Sequence, residues 1–233
     1  MPSDDKLSEY KGSQENKATL DDRDYYYKGQ EDDDDFEKVI LQKFDLALKQ
    51  FLTKVNNTDI KDRTPKVDST NYGQINSNGQ EITTMTYTTI KDPIRVENQD
   101  TVKFTIRIYN EGTQDGYASL IRNEISESLE YLPESEINKK YGWIYVDEAN
   151  QSVQDMSKVK YLATDYLSKN KEKNKDDNLI KYFNSKTMTT PEYKEVEIEF
   201  RIKENVPQNR IIINKAEIAE DTDSSGNQVD DQD

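Results

Sequence analysis

Two long segments in which apolar and polar residues alternate strictly place the strongest constraint on the fold of this chain. In residues 101–109, and again in residues 193–203 from Glu195 onward, every second side chain is apolar and the residues between are charged or carry a hydroxyl. A period of two is typical of strands that bury one face only. The chain is therefore predicted to be an all-β protein, with these side chains facing its core: Val102, Phe104, Ile106, Ile108, Val196, Ile198, Phe200 and Ile202.

Shorter candidate strands surround these two segments. They cover residues 83–90, 117–122, 143–146 and 211–219. Turn-forming pairs separate them, namely Asn78-Gly79, Glu111-Gly112 and Asp115-Gly116. The first apolar stretch, residues 36–52, fits both an amphipathic helix and a strand, and the strands around it favour a strand.

The low apolar content favours a sandwich of two antiparallel sheets. Only 32% of the residues are hydrophobic, whereas 34% are charged. A strand of a sandwich needs apolar residues on one face alone, so a thin core of this kind suffices.

The distribution of charge suggests the domain organisation. Residues 1–35 are polar and acidic and are predicted to be a disordered linker. The sandwich is expected over residues 36–220, with a less regular insertion over about 134–191. Residues 221–233 form a second acidic linker that contains a possible calcium loop.

Net charge and missing residue types exclude several functions. The net charge of −15 disfavours nucleic acid, whose phosphates require clustered Lys and Arg. The chain has no cysteine and no histidine, which excludes disulfides, thiolate sites and the usual zinc or copper ligands. No run of about 18 apolar residues is present, so we expect no membrane insertion. Because no apolar leader opens the chain, we expect a cytosolic protein or a piece of a longer exported one, and the acidic ends favour the latter.

Four motifs resemble one known family. Residues 100–112, D-T-V-K-F-T-I-R-I-Y-N-E-G, are similar to the strand G-D-x-V-x-Y-T-I-x-V-x-N-x-G of DUF11-type repeat domains. Residues 128–133 resemble their G-L-x-F-x-P segment, and residues 214–218 resemble their closing N-x-A-x-I strand. Residues 44–48, F-D-L-A-L, fit a version found in tandem in surface proteins of clostridia and their relatives. The turn at 123–126, N-E-I-S, departs from the D-x-L-P of the family.

The resemblance implies an immunoglobulin-like β-sandwich on the cell wall of a Gram-positive bacterium. It carries no catalytic residues, so no enzyme is expected; an enzyme would need a deep apolar pocket with two convergent acids. The predicted function is a structural stalk or spacer repeat whose partners are neighbouring repeats of the same protein. The alternative is an adhesin module that binds a host protein or glycan through the loops of the insertion.

The C-terminal tail carries the spacing of a calcium loop. Its candidate oxygen ligands match the opening of a D-x-D-x-[DNS]-G-x loop. The twelfth position is Gln232 rather than the glutamate of an EF-hand, so Asp230 and Asp231, or acids of a neighbouring module, would complete the site. The alternative is a solvated acidic linker. The candidate ligands are Asp221, Asp223, Ser225, Asn227, Asp230 and Asp231.

Two further pairs of residues are candidates for special roles. Tyr141 and Trp143 lie where a loop enters a strand, and they fit either ligand stacking or packing in the core. Asn214 shares a face with the apolar residues of its strand, as in an intramolecular isopeptide bond, but Gln50 stands where the reacting lysine would be needed.

Overall fold

The computed structural model describes residues 39, 41–169 and 178–229. The chain divides into two compact units, each described here by itself. The smaller unit includes residues 69–85, and the larger one contains residues 42–68 together with the described residues from 86 onward. The predicted acidic linker over residues 1–35 lies outside the described residues.

The smaller unit contains a short hairpin closed by the Asn78-Gly79 turn. The backbone N–H of Ile82 donates to the carbonyl of Gln74 at 2.8 Å, and the N–H of Asn76 donates to Gln80 at 2.8 Å. Gly79 has a φ of 76°, which glycine adopts without steric cost. The turn predicted at this pair is confirmed.

The larger unit is built of antiparallel sheets. Its elements are β1 (Leu46–Val55), β2 (Thr58–Asp59), β3 (Lys66–Asp68), β4 (Thr86–Thr88), β5 (Thr101–Asn110), β6 (Gly116–Glu124), β7 (Leu129–Tyr131), α1 (Glu136–Tyr141), β8 (Ile144–Val146), β9 (Tyr161–Thr164), β10 (Tyr193–Ile202) and β11 (Ala216–Asp223). The first sheet has the strand order β2-β1-β5-β10-β7, the second has the order β11-β6-β9-β8, and β3 pairs with β4. The six-residue helix α1 and a 3-10 turn at Met156–Lys158 interrupt the strands of the described residues. The all-β prediction is confirmed at this level.

The alternating segments form the central strands of the first sheet. β5 pairs with β1 on one side and with β10 on the other. Ile106 and Ile198 are fully buried, as their alternation predicted. On the opposite face Arg107 Nε lies 2.7 Å from Glu195 Oε1 and Lys103 Nζ lies 2.5 Å from Glu197 Oε1, so the polar residues pair across strands.

One apolar core joins the two main sheets. Buried side chains of β6 and β9 belong to the same cluster as those of β5 and β10. Each strand thus contributes one apolar face, which explains how a chain of low apolar content builds a core. The buried members from the second sheet include Ala118, Ile121 and Leu162.

The stretch predicted to be an irregular insertion supplies part of the second sheet. Residues 134–191 contain α1, β8 and β9, and β9 pairs directly with β6. Leu162 of β9 has no exposed surface. The strand predicted over residues 143–146 matches β8, whereas β9 was missed, because its partner β6 lies about forty residues away along the chain.

The C-terminal strand begins and ends later than predicted. Residues 211–214 do not pair with β6, because β6 ends at Glu124, whose N–H donates to the carbonyl of Lys215 at 2.9 Å. The strand continues through Asp223, which pairs with Gly116. The predicted boundary at residue 220 therefore falls inside β11, and the first residues of the predicted linker belong to the sheet.

The first strand resolves the ambiguity of residues 36–52 for the part that the structure describes. Residues 46–55 form β1, so the predicted strand is confirmed there and a helix is excluded. Leu46 is buried and Leu48 packs against the core, in the alternation expected of a strand.

The larger unit has two distinguishable ends. At the near end, the N–H of Thr113 donates to the carbonyl of Lys43 at 2.7 Å, and Asp223 pairs with Gly116. At the far end, Val55 pairs with Val102, and the N–H of Gln99 donates to the carbonyl of Ile202 at 3.0 Å. The ten residues of β1 separate the two ends by roughly 30 Å.

Candidate functional site

A groove of about 1040 Å³ opens at the far end of the larger unit. Its floor consists of inward-facing apolar side chains from β1, β5, β7 and β10 of the first sheet. Two stretches without regular structure, residues 90–98 and 206–214, form its walls. We call this site the distal groove. The floor residues are Leu52, Val102, Phe104, Leu129 and Ile202.

The walls of the distal groove carry exposed isoleucines. Ile211 and Ile213 are 66% and 64% exposed, while Ile212 between them packs against the core. The backbone of residues 211–214 makes no hydrogen bond to any other described residue. An extended segment with free backbone groups and solvent-facing isoleucines is suited to contact another chain.

The opposite wall has the same character. Ile90 and Ile94 are 46% and 36% exposed, and Pro93 between them has no backbone N–H to give to a sheet. Both walls therefore present apolar side chains beside an apolar floor.

From Leu48 to Leu52, the edge of β1 that borders the distal groove pairs with no other strand among the described residues. β1 pairs with β5 along its length, and on its other side β2 pairs with it at Lys54 and Val55. The carbonyl of Gln50 faces this open side, where Lys91 Nζ donates to it at 2.5 Å. Because alternate residues of a strand direct their backbone groups to the same side, the N–H and C=O of Leu48 and Leu52 face the same way.

Buried amide groups at the distal groove lack partners. Gln50 Oε1 and both polar side-chain atoms of Asn214 are buried and have no hydrogen-bond partner among the described residues. Both residues line the groove. An unsatisfied buried amide costs about 1–3 kcal/mol, so these groups favour a ligand or water that bonds to them. The sequence pointed to both residues in connection with an intramolecular isopeptide bond. That bond requires a lysine amine and cannot form between two amides.

The rim of the distal groove is basic although the chain is acidic. Its charged lining residues are four bases and two acids, in a chain of net charge −15. Loss of hydration, together with repulsion from Lys49 and Arg63, lowers the pKa of Lys91. A negatively charged partner would relieve this repulsion. The rim residues are Arg63, Lys91, Arg95 and Arg210, with Asp92 and Glu97.

The predicted calcium ligands lie elsewhere, around a hairpin at the near end. Asp221 is 8% exposed within β11, opposite Ala118. After β11 the chain reverses, and Thr222 bridges to Gln228. We call residues 222–228 the C-terminal hairpin. Asp230 and Asp231, the other predicted acids, lie outside the described residues.

Asp223 uses its carboxylate within the C-terminal hairpin. Oδ1 accepts the backbone N–H of Asn227 at 2.9 Å, and Oδ2 accepts the side-chain amide of Asn227 at 3.1 Å. These bonds, the backbone one first, lower the pKa of Asp223. The two predicted ligands are thus bonded to each other, as in a turn-forming Asx residue.

The rest of the loop also has an internal arrangement. Gly226 adopts a φ of 88°, and Lys169 Nζ donates to the carbonyl of Ser224 at 2.9 Å. Ser225 is exposed beside it. Within the described parts of the chain, no three acidic side chains are placed to hold a metal ion. Calcium binding stays a prediction from the sequence.

Tyr141 and Trp143 lie in the core rather than at a binding surface. They are 7% and 5% exposed, and Trp143 Nε1 donates to the carbonyl of Glu197 at 2.7 Å. The Tyr141 ring packs edge to face against Tyr166 with centroids 4.8 Å apart. Neither ring has a free face for a sugar or protein ligand, so the predicted contact is replaced by the alternative, packing in the core. Their partners lie more than twenty residues away along the chain, which the local sequence does not reveal.

No family model matches the chain, and comparisons with curated proteins and with solved structures found no similar protein. The resemblance to DUF11-type repeats therefore stays a prediction. Across the ranges that the structure describes, no helix is both long and apolar enough to cross a membrane.

Proposed function

We propose that this chain is a non-catalytic, protein-binding module of a bacterial cell-surface protein, and that its binding site is the distal groove. The observation that carries the proposal is the open edge of β1 beside an apolar floor. A strand edge offers backbone bonds to any extended chain, and pockets for alternate side chains give selectivity.

The binding mode is the addition of a strand. An extended segment of a partner would pair with the backbone of Leu48, Gln50 and Leu52 along the open side of β1. Its alternate side chains would cover the floor of the groove, where Val102 and Ile202 lie. The free backbone of residues 211–214 and the unpaired amides would supply further bonds.

The lining of the groove favours binding over catalysis. Its two acidic residues, Asp92 and Glu97, are both exposed. A general acid is normally held in a buried site, whereas both of these carboxylates face solvent.

The immunoglobulin-like type and the cell-surface location rest on the resemblance of residues 100–112 and 214–218 to DUF11-type repeats. Two sheets around one core are compatible with that type. Copies joined by acidic linkers would carry grooves at intervals, so the predicted spacer role and the binding role belong to one array.

The test is a selection of ligands for the complete chain from a random peptide display library, in parallel with a glycan array. Selected peptides are expected to bind the wild type and to lose at least about tenfold affinity to Gln50→Pro. That change removes the outward N–H of the edge but keeps the carbonyl, and proline is tolerated where the N–H faces away from the sheet.

A matched control and a second variant complete the test. Ile144→Asp, at a 48% exposed isoleucine of β8, should leave binding unchanged. Ile211→Asp/Ile213→Asp changes a wall without touching the sheet and should weaken binding as Gln50→Pro does. Ligands, whether peptides or glycans, that bind all of these variants as they bind the wild type would refute the distal groove as the site.

A further inference from the structure

The segment that precedes the larger unit has the chemistry that the distal groove requires. Residues 31–41 read E-D-D-D-D-F-E-K-V-I-L, with five consecutive acids followed by apolar residues. Of the described side chains, Val39 is 96% exposed and Leu41 is 90% exposed. Two large apolar residues at alternate positions, both exposed to solvent, favour burial in an apolar site.

From this match we infer that residues 31–41 of one copy of the chain occupy the distal groove of a second copy. The inference rests on the proposed function and names the partner at the same site. The acids would face the basic rim formed by Arg63, Lys91, Arg95 and Arg210, and the side chains of Val39 and Leu41 would cover the floor.

Charge supports this assignment. The rim is locally basic in a chain of net charge −15, so an acidic segment is attracted there and repelled elsewhere. The run of acids also determines the direction of the added strand. Its acidic end, residues 31–35, must lie along the basic rim, while its apolar end lies over Leu52 and Val102.

Chain connectivity places the donor and the acceptor in different molecules. Lys43 is bonded to Thr113 at the near end, through a 2.8 Å bond from its N–H to Thr113 Oγ1 and a 2.7 Å bond from the N–H of Thr113 to its carbonyl. Leu41 lies two residues before Lys43 and therefore stays within about 7 Å of it. Leu52 lies roughly 30 Å from Lys43 along β1, so Leu41 cannot reach the groove of its own molecule.

Strand exchange between copies would build a chain of modules. Each copy offers one donor segment and one groove, and these are different surfaces. Such a head-to-tail contact is heterologous and propagates unless it closes into a ring. The predicted partner, a neighbouring repeat of the same protein, would then be held by a strand as well as by a covalent linker.

The experiment uses sedimentation velocity on two complementary variants of the complete chain. Val39→Asp/Leu41→Asp removes the donor and keeps the groove, whereas Gln50→Pro blocks the groove and keeps the donor. We expect wild type to form species larger than the dimer as concentration rises, each variant alone to stay monomeric, and their equimolar mixture to stop at the dimer.

Two further measurements keep the inference falsifiable. Ile211→Asp/Ile213→Asp is the acceptor variant to use should Gln50→Pro alter the circular dichroism spectrum. A synthetic peptide of residues 31–41 should bind wild type at least about tenfold more tightly than a scrambled peptide of equal composition, with weaker binding at high salt.

The outcomes separate this inference from the proposed function. Wild type that stays monomeric, together with a peptide that binds no better than its scramble, overturns the inference. If library-selected peptides still bind the groove in that case, the proposed function stands. Association that persists in the donor-deleted variant alone also overturns it, since the contact would then lie elsewhere.

Discussion

The sequence singles out residues in both the C-terminal hairpin and the distal groove, but the polar groups of these two regions differ in their hydrogen bonding. In the hairpin the carboxylate of Asp223 is bonded to Asn227, four residues away. In the groove the side-chain atoms Gln50 Oε1, Asn214 Oδ1 and Asn214 Nδ2 lack partners among the described residues, and no described strand pairs with the outer edge of β1 from Leu48 to Leu52. Polar groups that are satisfied internally stabilise the fold, whereas buried groups without a partner are available to bond to water or to a ligand.

The largest predicted effect concerns the tight packing at the near end. A Cβ at Gly116 would overlap the Phe44 ring and lie 2.7 Å from the carbonyl oxygen of Thr222. Because this backbone cannot move without breaking the β6–β11 pairing, Gly116→Ala should lower the free energy of unfolding by about 3 kcal/mol. Urea denaturation measures the change.

Gly142→Ala is the matched control for that substitution. A Cβ there would meet nothing within 4 Å, but the φ of 64° disfavours alanine, so a loss of about 1 kcal/mol is expected. Equal losses for the two variants would mean that the near end is not packed as described.

A gain in stability is predicted at the groove. Gln50 Oε1 is buried and accepts no hydrogen bond from any described residue, so Gln50→Leu should raise the free energy of unfolding by about 1 kcal/mol. Chemical denaturation of the variant and of Gln50→Glu, which places a charge at the same position, measures the effect. A destabilised Gln50→Leu would show that the amide has a partner and would remove the contrast with the hairpin.

A smaller effect concerns the stability of the folded chain at acid pH. Hydrogen bonds from Asn227 lower the pKa of Asp223 in the folded chain. Their stabilisation is therefore complete above the unfolded pKa of about 3.9 and is lost as pH falls through the lower folded pKa. Melting temperatures recorded from pH 7 to 2.5 should fall less steeply in this acidic range for Asp223→Asn than for wild type. Parallel curves would contradict the internal use of this carboxylate.

The smallest predicted effect is that of calcium. Because Asp223 is already bonded and Lys169 occupies the carbonyl of Ser224, calcium against a chelator should shift the melting temperature by less than about 1 °C. A rise of several degrees that disappears in Asp221→Asn/Asp223→Asn would instead support the calcium loop predicted from the sequence.

The fold could be predicted from the sequence wherever the pattern that specifies a strand or turn lies within one short segment. The alternation in β5 and β10 is a local property, and it specified both the buried face and the all-β class. The Asn78-Gly79 turn is also local, because glycine alone adopts its φ without strain. The end of the sheet at Asp223 was missed because it depends on pairing with Gly116, more than a hundred residues earlier.

The amino-acid sequence by itself determined the strand class, the buried faces of β5 and β10, and the exclusion of thiolate and histidine chemistry. Only the tertiary structure decided which side chains are available. Trp143 is buried and donates to the carbonyl of Glu197, and among the described strands only the two-residue β2 lies beside the outer edge of β1. The physical reason is that periodicity arises within a strand, whereas burial and strand edges arise from pairing between residues far apart in the chain.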